Sequence, residues 1–237
     1  MRVLDSIGLV EEAVVHLKTA AALETESEIK LFCCVWKKAI SSRRVAWRTI
    51  VKEEMKQRAI GNERFNYICS LQRRVIEEEL LGLISEGLNH PMTTDENRVK
   101  LVTLKFRADL FRYLVEVYKV QGSETVSSEA MQNARKCYQD ASDVVTTHGL
   151  GMTDPIVLGL VLNHSVFAFE VLNKPREACI LAKDALDMVM GSLGPLSVCE
   201  DQPSKSVSGE PIDPSLLKLI QLVRDNLVLW TSNSRIH

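Results

Sequence analysis

Apolar residues recur every three to four positions along almost the whole chain, and no stretch alternates apolar and polar residues with the two-residue period of a strand. That single periodicity restricts the fold to helices packed on helices. Ile7, Val10, Val14, Leu17 and Ala21 make a first apolar stripe. A long helix is predicted from about Glu26 to about Ala59, broken by Gly61-Asn62. A third runs to Leu88 and stops at Asn89-His90-Pro91, because proline excludes its predecessor from helical geometry. Asp95 or Asn97 caps the next, which ends near Gly122, and Ser127-Ser128 caps a fifth that closes at Gly149-Leu150-Gly151. Asp154-Pro155 reads as an N-cap followed by proline at the first helical position. Asn173-Lys174-Pro175 separates that helix from one ending near Gly191, and Asp213-Pro214 opens the last. Between them, 191–213 holds Pro195, Pro203, Pro211 and several serines, and is expected to be a long flexible loop. No 34-residue repeat signature is visible.

A chain of 237 residues with 46% hydrophobic and 25% charged residues can bury a sizeable core, which argues against disorder. The formal charge is −2, so a basic site must be a local concentration in a near-neutral molecule, and no nucleic-acid partner is expected. No stretch approaches the roughly 20 apolar residues of a membrane span, and the first ten residues do not read as a signal peptide. The six cysteines form no CxxC, and Cys33, Cys34, Cys137 and Cys179 lie in apolar-periodic stretches. A reduced cytosolic protein with mostly buried thiols is expected. No His or Cys pair has zinc-ligand spacing, and no metal or other cofactor is expected.

Motifs of enzymatic chemistry are absent: there is no GxxxxGK[ST], GxSxG or HExxH, and Gly149-Leu150-Gly151 follows a helix where a dinucleotide site needs a strand. His164 sits on an apolar helix and is expected to be packed. Glu77-Glu78-Glu79 is expected to be an exposed helix face. Two basic pairs are more informative. Lys37 and Arg44 are seven residues apart on one helix, hence on one face about 10 Å apart. Lys105 and Arg112 repeat the spacing, with Tyr113 beside Arg112. Packed together, these groups would suit a phosphate dianion, since guanidinium forks and a phenol donate to it. Spacing alone favours ordinary surface charge instead, because Asp109 can pair with both Lys105 and Arg112. Near the C-terminus, Asn163, Val166 and Glu170 share one helical face, and Leu219, Leu222, Asn226 and Leu229 another, with Trp230 adjacent. An asparagine amide there can pair with a peptide backbone, although core stripes with satisfied amides explain the same pattern.

Longer stretches carry a family resemblance. LFCCVWKKAISSRRVAWRTI (Leu31 to Ile50) resembles the first 14-3-3 signature, and LLKLIQLVRDNLVLWTSN (Leu216 to Asn233) is similar to the second. LKFRADLFRYLVEV (Leu104 to Val117) and the stretch from Asp154 to Lys183 resemble the family's intervening segments. The resemblance implies an all-α antiparallel helical bundle of the 14-3-3 type, as one domain over 1–237 with a short tail at 231–237. It starts about a dozen residues into the family's usual chain, so the family's first helix is expected to be missing or shortened, leaving about eight helices.

By the same resemblance, Lys37, Arg44, Arg112 and Tyr113 take the positions that grip phosphate, with Lys105 beside them. Asn163 and Asn226 match the asparagines that hold a peptide backbone. Leu162, Val166, Leu222, Leu229 and Trp230 match the apolar side of a groove, and Glu170 a supporting carboxylate. The implied function is a non-enzymatic, phosphoserine- or phosphothreonine-dependent adaptor whose partners are phosphorylated client proteins. It is expected in the cytoplasm, as for many members also in the nucleus, as a homodimer with an altered interface or a heterodimer with another member. The alternative is a scaffold of the same fold that binds unphosphorylated partners or has a restricted groove. Lys218 departs from the pattern, standing near a groove position that is normally apolar.

Overall fold

Local capping chemistry sets where the helices begin. Thr25 and Glu28 form a reciprocal capping box, Glu28 N–H donating to Thr25 Oγ1 at 3.3 Å and Thr25 N–H to Glu28 Oε2 at 3.0 Å. Asn62 accepts from Phe65 N–H at 3.3 Å, Asp154 from Ile156 N–H at 2.9 Å, and Asp213 from Ser215 N–H at 2.8 Å. Pro155, Pro175 and Pro214 each open a helix, where the missing N–H costs nothing. The computed structural model describes residues 7–19, 23, 25–92, 96–194 and 212–233. Among them stand eight helices: α1 (Ile7–Lys18), α2 (Glu26–Ala59), α3 (Glu63–Asn89), α4 (Asn97–Gln121), α5 (Glu124–Thr147), α6 (Pro155–Glu170), α7 (Pro175–Leu193) and α8 (Pro214–Asn233). The described residues hold no strand, only an isolated bridge between Leu23 and Met92. The all-α expectation therefore holds.

Several boundaries differ from the sequence reading. Ser127 and Ser128 lie inside α5, because Gly122 ends α4 in the left-handed conformation (φ 73°) and the chain re-enters a helix two residues later. Glu96, which makes no side-chain cap bond, precedes α4; Asn97 is already helical and Asp95 lies outside the described residues. Helix α7 continues past Gly191 to Leu193, and α8 takes in 231–233 of the expected tail. The remainder of the expected loop, 195–211, and the tail residues 234–237 lie outside the described residues.

The chain divides into two compact units, Met1–Ala130 and Met131–His237, with α5 running through the boundary. In the first, α2 presents Ile29, Phe32, Trp36, Ala39, Ile40, Trp47 and Val51 to α3 and α4, which supply Leu80, Ile84, Phe106, Leu110 and Val117. Val10 and Val14 of α1 join that core and Leu17 packs against it, so the α1 stripe serves its own subunit. In the second, α8 buries Leu216, Ile220, Val223 and Trp230, with Leu227 packed against them, at the spacing of one helical face. That face meets Leu158, Ala168, Ala182 and Val189 of α6 and α7.

Cys33 and Cys69 are buried and Cys137 and Cys179 partly so, as expected, but Cys34 is exposed because it falls off the buried face of α2. Cys199 lies outside the described residues. Burial pushes the Cys33 thiol up to about 12.

Gly87 is fixed by the approach of α2 to α3. The Trp36 indole N–H donates to Leu83 O at 2.7 Å, and a Cβ at Gly87 would sit 2.7 Å from that indole nitrogen and 3.0 Å from Leu110 Cδ1. Alanine would raise helix propensity by about 1 kcal/mol, but it pushes into a rigid ring. Gly87→Ala is therefore expected to lower stability by about 1–3 kcal/mol, read as a shift of the denaturant midpoint, whereas Gly82→Ala, with nothing within 4 Å, should not.

Candidate functional site

Five basic residues of the first unit stand around two carboxylates. Asp109, whose side chain is 1% exposed, accepts a hydrogen bond from Lys37 Nζ across the α2–α4 contact, and Lys105 Nζ lies 3.8 Å from the same Oδ2. Two turns along, Arg44 Nε donates to Glu116 Oε2 at 2.6 Å and Arg48 Nε to Glu116 Oε1. Two guanidiniums lie over the Tyr113 ring, with Arg44 Cζ 4.3 Å and Arg112 Cζ 4.8 Å from its centroid. Arg112 and Tyr113 are each 8% exposed, so this is no solvated charged face. All five expected residues, Lys37, Arg44, Lys105, Arg112 and Tyr113, are thus brought together. The plainer alternative, pairing with Asp109, is also present: Asp109 feels Lys37, Lys105 and Arg112, and pairing and clustering are the same arrangement.

The electrostatics are asymmetric. Burial alone would raise the Asp109 carboxyl, but Lys37, Lys105 and Arg112 hold it well below the usual carboxylate range. Burial opposes the Lys37 charge too, yet its ion pair and hydrogen bond with Asp109 raise that ammonium above the ordinary lysine value. Lys105 has the weaker hold on Asp109. Burial, followed by repulsion from Lys37, brings it down to about 8. Five cations sharing two carboxylates leave an excess of positive charge on a partly dry surface, an arrangement that favours an anion.

The second unit holds the other residues. Asn163 and Val166 on α6 are partly exposed and Glu170 is exposed, on one helical face. On α8, Leu222 and Leu229 stand 42% and 57% exposed, with Asn226 partly exposed beside them. Leu162 and Trp230 are core residues instead, 9% and 4% exposed; Trp230 stacks on Phe169 with centroids 4.8 Å apart. They support the open stripe from behind. His164 is half-buried and stacks on Tyr138, as its apolar helix predicted, and burial lowers its basicity.

A sequence model described as "14-3-3 protein" matches residues 1–231. The chain is 34% identical to 14-3-3 protein I of Plasmodium falciparum over 230 residues, covering 95% of this chain and 80% of that one. It is 36% identical to the 14-3-3-like protein RA215 of Solanum tuberosum over 228 residues (91% and 82%). It is 34% identical to the checkpoint signal transducer rad25 of Schizosaccharomyces pombe over 234 residues (94% and 80%). The chain belongs to the 14-3-3 family.

Two elements of this 14-3-3 chain's first unit escaped the sequence reading. Glu116 and Arg48 belong to the cluster, and Glu116 stands seven residues after Asp109, a spacing that could have signalled it. Glu77 is not on an exposed face. It is 4% exposed and accepts from Trp47 Nε1 at 2.9 Å, Arg73 NH1 at 2.7 Å and Gln121 Nε2 at 3.2 Å, while Glu78 and Glu79 are exposed. Arg73 is shared with Glu54 at 2.6 Å, a network that ties α2, α3 and α4 together. No group of His, Cys, Asp and Glu that could hold a metal occurs among the described residues.

The directions of the two lysine shifts give a test. A lysine raised in the folded state stabilises in its charged form, so Lys37→Met at pH 7 is expected to cost about 3 kcal/mol, the lower end for a broken buried pair because Lys105 and Arg112 remain beside Asp109. A lysine lowered in the folded state is costly when charged. Lys105→Met should then leave neutral-pH stability unchanged or higher, measured by urea unfolding. Relative to that variant, the parent protein should gain stability as pH rises from about 8 towards 10.5, where the unfolded chain binds more protons than the folded one.

Proposed function

We propose that this protein is a phosphoserine- or phosphothreonine-dependent adaptor, not an enzyme. The observation that carries this reading is the cation cluster of the first unit: two guanidiniums on one tyrosine ring, two ammoniums on one carboxylate, and positive charge in excess. A phosphate dianion supplies two charges and several acceptor oxygens, and suits such donors better than a lone carboxylate does. Arg44, Arg112, Lys37 and Tyr113 grip the phosphate and Lys105 adds charge beside them. The amides of Asn163 and Asn226 pair with the backbone of an extended client segment, Leu222, Leu229 and Val166 meet its apolar side chains, and Glu170 supports them. Leu162 and Trp230 act from below. Family membership supports client binding in general, and no helix among the described residues is long and apolar enough to cross a membrane. The cytoplasm, with the nucleus, is the proposed compartment.

The proposed assembly is a homodimer, or a heterodimer with another family member. Its support lies not in the α1 stripe, which is buried, but in α3. There Phe65, Ile68, Leu71 and Val75 are 46%, 49%, 43% and 52% exposed at helical spacing. That face leads towards a cavity of about 340 Å³ where Val14, Val15, Ala39 and Leu83 stand among the charged Glu11, Lys18, Arg43, Glu79 and Glu86. A row of large apolar side chains beside a recess that mixes apolar and charged groups is what a second copy would cover.

Fluorescence anisotropy with one peptide in phosphorylated and unphosphorylated form tests the main reading. The phosphorylated form is expected to bind at least 30-fold tighter, corresponding to about 2 kcal/mol for a charge-assisted bond. Arg44→Ala or Arg112→Ala should remove most of that difference without changing circular dichroism. Equal binding of both forms would favour the phosphate-independent scaffold. For the assembly, sedimentation at tens of micromolar is expected to show a dimer that Ile68→Glu with Val75→Glu converts to monomer; a parent protein that is only monomeric would refute it.

A further inference from the structure

The open face of α8 carries a cation in a row of apolar positions. Lys218, Leu222 and Leu229 are all exposed, with Asn226 partly so. At 100° per residue, Lys218 falls 40° from Leu222, 20° from Leu229 and 80° from Asn226, so the four share one narrow sector. The carboxylates nearest in the sequence are engaged elsewhere: Asp213 accepts from Ser215 N–H at 2.8 Å and Asp225 from the Gln221 amide at 2.6 Å. The ammonium is therefore presented on the face that the proposed function assigns to a client segment.

We infer that Lys218 is a specificity-determining residue that selects clients with an acidic side chain on the segment that meets α8; this rests on the phosphopeptide reading above. An apolar client side chain seated there would strip water from the ammonium and return nothing, whereas a carboxylate pairs with it. The spacing gives the position. Eight residues of helix put Lys218 about 12 Å along the axis from Asn226. An extended peptide advances about 3.3 Å per residue, so the acidic residue stands three or four positions from the one whose backbone Asn226 holds. Leu222, one turn from Lys218, leaves an apolar site between them.

The test uses the full chain and a phosphoserine peptide whose flanking positions are alanine, with glutamate placed singly at each of the five positions on either side. Anisotropy should find a register, of one or two adjacent positions, where glutamate tightens binding about three-fold. That gain should vanish in Lys218→Leu, turn into a loss in Lys218→Glu, and shrink as salt rises from 50 to 500 mM. Each gain is read as the ratio of glutamate to alanine peptide on the same protein, and the melting temperatures of the three proteins should agree because residue 218 is exposed. A parent peptide that binds with no register separating the parent protein from Lys218→Leu overturns the inference and leaves the phosphopeptide reading standing. A parent peptide that binds no better than its unphosphorylated form overturns that reading, and this inference with it.

Discussion

The first unit turns on one buried carboxylate. Asp109 is removed from water on α4, and its charge persists because Lys37 reaches it from α2 while Lys105 and Arg112 stand close on its own helix. Isolated, a carboxylate in that setting would be costly enough to neutralise itself. Paired, it ties the two helices that carry every cation of the cluster. The same contact creates the inequality between the lysines: one ammonium takes the hydrogen bond, the other is left crowded. Charge repulsion that the fold holds in place is a source of anion affinity, because an incoming dianion relieves it.

Glu116 has the matching role two turns further on, holding Arg44 and Arg48 while the Tyr113 ring takes both Arg44 and Arg112 against it. Donors fixed this way need little reorganisation when a ligand arrives, so less conformational entropy opposes binding. The second unit works differently. Its α8 divides into a buried row ending at Trp230 and an open row of Leu222 and Leu229, with Asn226 and Lys218 in the same sector as the open row. Rigid packing behind the open row keeps exposed leucines in register instead of letting them collapse inward.

The Glu54–Arg73–Glu77 network does comparable work away from the cluster. Glu77 collects an indole, a guanidinium and an amide from α2, α3 and α4, and so satisfies donors that packing would otherwise strand. In the sequence it is one of three consecutive glutamates, and nothing local distinguishes it from Glu78 and Glu79. The distinction is positional: one of the three points towards Trp47, and the other two point to water.

Helix count, most helix starts and the family were legible in the sequence, because 3.6-residue periodicity, Asx caps, helix-opening prolines and two signature segments are local properties. The residues of the cation cluster were legible as well, through seven-residue spacing and the motif around Arg112. Tertiary structure alone decided what covers each face. It buried the α1 stripe of Val10 and Val14 in the subunit's own core, exposed Cys34, put Leu162 and Trp230 behind the open stripe instead of on it, and made Lys37 and Lys105 unequal. Periodicity tells which side chains share a helical face, but desolvation and charge pairing depend on the neighbours that packing brings to it. Identical residues such as two lysines or three glutamates acquire different energies only when those neighbours are in place.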